Sequence, residues 1–120
     1  MGTHATIIAK QEDTYRAIYN HYDGYPEYLL KMLQEHYQDE GKVQRLIDLG
    51  DVSCVRREVD IPDGGSHTFS NPHTDITVAY GRDRGEKGTE YRTYSSLDKC
   101  LEKENQEFHY LWDGEWKPLA

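Results

Sequence analysis

The chain has 120 residues, 36% of them hydrophobic and 30% charged, with a formal net charge of -8 at pH 7. That length holds one modest core and hence one domain, residues 1–120. The negative charge repels nucleic-acid phosphates, and no segregated basic patch offsets it, so a duplex nucleic acid is excluded as a partner. No apolar run is long enough to cross a bilayer, which excludes membrane association through a spanning helix.

Residues 3–10 and 15–22 alternate in hydrophobicity and are rich in β-formers, with Gln11-Glu-Asp-Thr14 between them, so they are expected to pair as an antiparallel hairpin. On the second strand Tyr15, Ala17, Tyr19 and His21 share one face, because side chains alternate with period two. Gly24 suits the positive φ of a tight turn, and Pro26 suits the first turn of a helix, where its missing N–H costs nothing. Leu29, Met32, Leu33 and Tyr37 then recur at helical spacing. Val43, Leu46 and Ile47 repeat that spacing in a second helix, which Gly50 ends as a left-handed cap. The two helices form a hairpin around residues 39–41.

Residues 52–61 read as a short irregular strand, and Asp63-Gly-Gly-Ser66 and Asn71-Pro72 as loops. Residues 75–80 alternate, with Ile76, Val78 and Tyr80 on one face, and Tyr91–Tyr94 are expected to return antiparallel to them across the Gly-rich segment between. Ser95 or Ser96 caps a third helix with the stripe Leu97, Cys100 and Leu101. Phe108–Trp112, the Asp113-Gly114 turn and a return through Trp116 close the chain as a hairpin. The expected fold is therefore α+β: a mainly antiparallel sheet packed on one face by about three helices, with Leu33 and Val78 in its core.

Two polar segments stand out, each at the end of a predicted strand. In Tyr19-Asn-His-Tyr-Asp-Gly-Tyr-Pro26, tyrosines offer a stacking face and a hydrogen-bonding tip, which suits a flat ring; Tyr22 and Tyr25 are the candidates. The structural alternative packs Tyr19 in the core, Tyr22 over a sheet edge and Tyr25 against the helix start. Asp23 joins the candidate site, or else holds the turn before Gly24 as an Asx residue. In Tyr80-Gly-Arg-Asp-Arg-Gly-Glu86, Arg82 and Arg84 on a flexible loop suit bidentate capture of an anion, or else form a solvated turn neutralised by Asp83 and Glu86.

If the two segments meet, Tyr22, Asp23, Tyr25, Arg82 and Arg84 make one ligand site, with aromatics stacking a ring and arginines gripping its charge. The expected partner is a small anionic, nucleotide-like ligand or another protein, and self-association into a homo-oligomer is compatible with the same surface. The alternative is a small hydrolase or nucleotide-modifying enzyme using His21 and Asp23 as an acid–base pair. The six histidines show no metal-ligand spacing, and neither a cofactor motif nor a nucleophile motif is present, so no metal, cofactor or catalytic residue is assigned. Cys54 and Cys100 form no C-x-x-C pair, and the opening residues lack a signal-peptide pattern, so two reduced thiols in a cytoplasmic protein are expected.

The Met1-Gly-Thr3 start, the segment Tyr19–Pro26, Gly50-Asp51 and Tyr80–Glu86 together resemble a family of small phage and prophage proteins, over nearly the whole chain. In that family the start is commonly Met-Gly-Thr-Arg, the aromatic segment His-Trp-Asp-Gly-Tyr, and small residues follow the Gly-Asp. Here His4, Tyr22 and Ser53-Cys-Val-Arg56 depart from the pattern. If the family's arginine binds an anion, His4 replaces it only weakly near neutral pH. The resemblance implies a phage or prophage origin, action in the bacterial host cytoplasm, and an accessory role that counters host defence by masking a host protein or sequestering a nucleotide signal.

Overall fold

The computed structural model describes residues 3–62 and 65–119; Met1 and Gly2 of the opening motif and Asp63 and Gly64 of the expected loop lie outside the described residues. β1 (Ala5–Gln11) and β2 (Thr14–Asn20) form the expected hairpin, closed by the two-residue turn Glu12-Asp13 with Ile7 opposite Ile18. A π-helical turn, Pro26–Leu30, runs into α1 (Lys31–His36), and α2 (Glu40–Asp48) follows. The Asp39 carboxylate caps α2 by accepting the Lys42 N–H at 3.0 Å. At the other end Gly50 takes a left-handed φ of +78° as expected, and a Cβ there would lie 2.1 Å from the Thr89 carbonyl oxygen.

β3 (Val52–Cys54) and β4 (Val78–Ala79) are short, and α3 (Tyr80–Arg84) begins directly from β4. β5 (Arg92–Tyr94), α4 (Leu97–Lys103), β6 (Phe108–Trp112) and β7 (Trp116–Leu119) complete the chain. Ser96 caps α4 by accepting the Lys99 N–H at 3.2 Å. The strands form one mixed sheet in the order β4-β3-β2-β1-β6-β7, with β5 added on β2. The β1–β6 and β2–β3 pairs are parallel and the others antiparallel, so the fold is α+β with a mixed sheet.

Three expectations are corrected. Helices cover both faces of the sheet: Ile7, Ile18, Tyr110 and Trp112 pack against Leu29, Leu33, Val43, Leu46 and Ile47, whereas Ile8, Ala17 and Leu111 on the opposite face pack against Cys100, Leu97 and Leu101 of α4. The alternation of Ile7 and Ile8, both fully buried, already requires two apolar layers. β5 pairs with β2 through Tyr15–Tyr94, Arg16–Thr93 and Ala17–Arg92, and leaves β4 to pair with β3. Tyr80–Arg84 is a helical turn where a loop was expected, because Asp83 reaches back to accept the Ala79 N–H at 2.8 Å and Gly85 ends the turn at φ +71°.

Leu33 is fully buried and Val78 nearly so. Leu33→Ala is predicted to cost about 2 to 5 kcal/mol in urea unfolding, and Gly50→Ala more than about 1 kcal/mol, since its new Cβ meets both an unfavourable φ and a carbonyl. A loss below about 1 kcal/mol for Leu33→Ala removes that residue from the load it carries in this packing.

Candidate functional site

The two-residue hairpin turn sets which side chains meet at the open end of β1 and β2. Thr6 pairs with Tyr19 and Ala5 with Asn20, so one step further His4 stands across from His21, on the face that carries Thr6 and Tyr19. Their imidazoles stack with centroids 4.7 Å apart and planes 24° from parallel. The Tyr19 ring meets His4 edge-on at 5.5 Å, and its hydroxyl lies 2.7 Å from Nδ1 of His21. Tyr22, 47% exposed, meets His21 edge-on at 4.5 Å. Burial and the neighbouring His4 hold His21 below the ordinary histidine value. Burial, with Tyr80 and Asp51 adding to it, raises the Tyr19 phenol.

Beyond β2 the chain continues parallel to β3, with the His21 N–H donating to the Val52 carbonyl at 3.1 Å and the Tyr22 N–H to the Ser53 carbonyl at 2.8 Å. The Tyr80 N–H donates to the Asp51 carbonyl at 3.2 Å, which sets α3 beside β3; burial raises the Tyr80 phenol, and Tyr22 is near enough to add to that rise. The Arg84 guanidinium lies 5.0 Å from the Tyr80 ring centre and 4.4 Å from that of Phe69, in cation–π contact with both. Its Nη2 pairs with Glu86 at 2.5 Å, with the arginine side chain still about half exposed. Tyr80 thus joins the Tyr22 cluster to Arg84.

The other candidate residues are placed elsewhere. Arg82 donates from Nη1 to the Val59 carbonyl at 2.5 Å, from Nη2 to the Thr77 carbonyl at 2.7 Å, and from Nε to Asp83 at 2.8 Å. It acts as a clamp between backbone segments, and lines a cavity of about 400 Å³ with Arg45, Asp48, Leu49, Val59, Asp60 and Ile61. Asp83, 1% exposed at its side chain, also faces Nε2 of His67 at 3.1 Å; because Nδ1 of His67 accepts the His73 N–H, Nε2 carries the proton and donates. Burial opposes the charge on Asp83, but Arg82, the Ala79 N–H and His67 together hold its carboxyl below the usual value.

Tyr25, 38% exposed, leans towards Tyr28, with ring centres 6.4 Å apart, and Tyr28 is tied to the Val55 carbonyl at 2.8 Å. Asp23 takes the left-handed turn conformation at φ +55°, a role expected of Gly24. Gly24 is required for close approach instead: a Cβ would lie 2.6 Å from the Thr3 carbonyl oxygen. His21 has Tyr19 as its side-chain hydrogen-bond partner, and the His21–Asp23 pair that the enzyme alternative requires is not formed among the described residues.

An ionic network supports the ring cluster from the side. Arg92 grips Glu104 through Nε and Nη2 at 3.0 and 2.8 Å, and donates from Nη1 to Asp51 at 2.6 Å. Asp51 in turn accepts the Tyr19 N–H at 2.8 Å. Tyr94 donates to the Glu104 carboxylate, while the Glu104 carbonyl accepts from Thr6 at 3.0 Å and from Nε2 of His109 at 2.7 Å. Burial opposes ionisation of Glu104, yet Arg92 and Tyr94 keep its carboxyl low. Sequence reasoning named His4 only as a weak replacement for an arginine and missed its stacking on His21 and the Tyr19–His21 hydrogen bond, although the hairpin register contains the first: with a two-residue turn after Gln11, positions 4 and 21 are opposed.

The cluster offers stacked and edge-on rings, hydrogen-bonding tips at Tyr19, His21, Tyr22 and Tyr80, and one half-exposed cation at Arg84. Compared with known proteins, the chain matches no family model, and no curated protein or solved structure matches it.

Replacing the two arginines singly separates their roles. Arg82→Ala is predicted to lower stability by on the order of 3 kcal/mol, because it leaves the buried Asp83 carboxylate without its main cation, whereas Arg84→Ala costs under about 1 kcal/mol. Equal losses in urea unfolding contradict the assignment. Acid should also unfold the chain: Asp83 and Glu104 titrate lower when folded, so their contribution is whole above the unfolded carboxyl range near pH ~4 and drains away as pH falls through the folded values. Unfolding midpoints constant from pH 7 to 3 would contradict this, and Glu104→Gln should flatten the profile.

Proposed function

We propose that the protein is a binding protein whose site is the ring cluster His4, Tyr19, His21, Tyr22 and Tyr80, with Arg84 supplying charge, and that its ligand is a small planar ring bearing an anionic group, as in a nucleotide. The observation that carries this reading is the stacked His4–His21 pair beside the exposed Tyr22 ring, linked through Tyr80 to a half-exposed guanidinium. Exposed aromatic faces hold flat rings, and a guanidinium on a fixed aromatic bed is oriented for an oxyanion. In the phage setting that the resemblance implies, such a protein removes a nucleotide signal from a host defence system by holding it.

The test is a panel of nucleosides and nucleotides read by thermal shift and by mass spectrometry of what heat releases. A ligand held far above its dissociation constant raises apparent stability, at 100-fold excess by about 2.7 kcal/mol. Unchanged nucleotide recovered from the heated protein, with binding weakened at least about tenfold in Tyr22→Ala and in Arg84→Ala, supports the proposal. Product in excess of protein favours an enzyme, and stabilisation by no member of the panel directs attention to a protein partner.

A further inference from the structure

We propose that His4 and His21 act as one proton-coupled pair, so that the ring site binds an anion with uptake of a proton and releases it as the pH rises. This rests on the binding reading above and adds its regulation. The geometry is that of two imidazoles stacked face to face at 4.7 Å, one at the mouth of β1 and the other just past β2. Two neutral rings, or one neutral and one charged, stack without conflict; two imidazolium rings at that distance repel. Nδ1 of His21 is 2.7 Å from the Tyr19 hydroxyl; in the neutral tautomer that carries its proton on Nε2, Nδ1 accepts from that hydroxyl. Protonation turns Nδ1 into a donor as well, and the Tyr19 hydroxyl must rotate to accept.

The groups around the pair offset a second positive charge only in part. From β2 and its continuation come Tyr19 and Tyr22, and from α3 Tyr80, all neutral near pH 7. Asp51, ahead of β3, is occupied by the Tyr19 N–H and by Arg92. From the β6 side, Glu107 precedes Phe108, whose N–H donates to the His4 carbonyl at 3.3 Å. A proton on one ring therefore resists a second on its neighbour until an anion sits against the rings. By linkage, an anion that favours the doubly charged pair binds more tightly as pH falls.

The test uses 3′,5′-cyclic AMP as the probe, because its phosphodiester keeps a single charge across pH 5.5 to 7.5. Calorimetry on the whole chain should show its dissociation constant falling on the order of tenfold over that interval, with heats that vary with buffer as proton uptake requires. Adenosine, lacking the anion, should show no such change. In the free protein, imidazole NMR titration should place the His21 midpoint higher in His4→Gln than in the wild type, since the facing charge is gone. An unchanged His21 midpoint in that variant, or equal cyclic AMP affinity at both pH values, overturns the pair and leaves the binding reading standing. Failure of cyclic AMP and of every panel nucleotide to bind at either pH overturns both, and neither the affinity arm nor the wild-type calorimetry depends on a variant that folds.

Discussion

The whole sheet hangs on the register of one hairpin. β6 joins β1, β3 and β5 join β2, and β4 and β7 are attached at one remove, so the two-residue turn at Glu12-Asp13 determines which residues face each helical layer. A one-residue slip would exchange Ile7 with Ile8 and Ala17 with Ile18, sending each set to the wrong layer. Both faces are apolar, so hydrophobicity alone tolerates the exchange better than a one-sided sheet would. What distinguishes the two registers is polar: Thr6 must reach the Glu104 carbonyl from its buried position on β1. A directional bond near the strand end thus selects among pairings that burial leaves nearly equal.

A similar division of labour separates the charged groups. Arg92 and Arg82 each spend their guanidinium on anions and carbonyls inside the fold, where a missing partner leaves a buried charge or acceptor unsatisfied. Arg84 instead lies across two rings near water, where its contribution to folding is small and its availability to a ligand is greater. In the sequence these arginines look alike. Their difference lies in which carbonyls and carboxylates the tertiary fold brings within reach.

The legible elements were those carried by local signals: period two in β1 and β2, helical spacing ahead of Gly50, the Ser96 cap and the Asp113-Gly114 turn. Strand partners were less legible, since a three-residue strand such as β5 has little pattern of its own, and its choice of β2 over β4 depends on the crossing of distant segments. The glycines flanking Arg82 and Arg84 suggested a loop, and the helical turn that replaced it depends on Asp83 finding Ala79, Arg82 and His67 together. Within the candidate site, Tyr22 and Arg84 were read from composition. The place of His4 opposite His21 was readable only by counting register through the hairpin, and Tyr80 only once α3 was known to start beside β3.

One consequence concerns the edge that β2 presents to two neighbours. β5 occupies it as far as Ala17, and β3 takes it up again where the His21 N–H meets Val52, leaving Tyr19 between them without a strand carbonyl. The Asp51 carboxylate stands in that gap and accepts the Tyr19 N–H, while Arg92, opposite Ala17, holds the same oxygen. The sheet is therefore sutured at this point by a side chain. Amide hydrogen at residue 19 can exchange when a single carboxylate swings away, whereas at residue 21 a strand must separate, so the ring cluster sits directly on the seam where the sheet opens with the least movement.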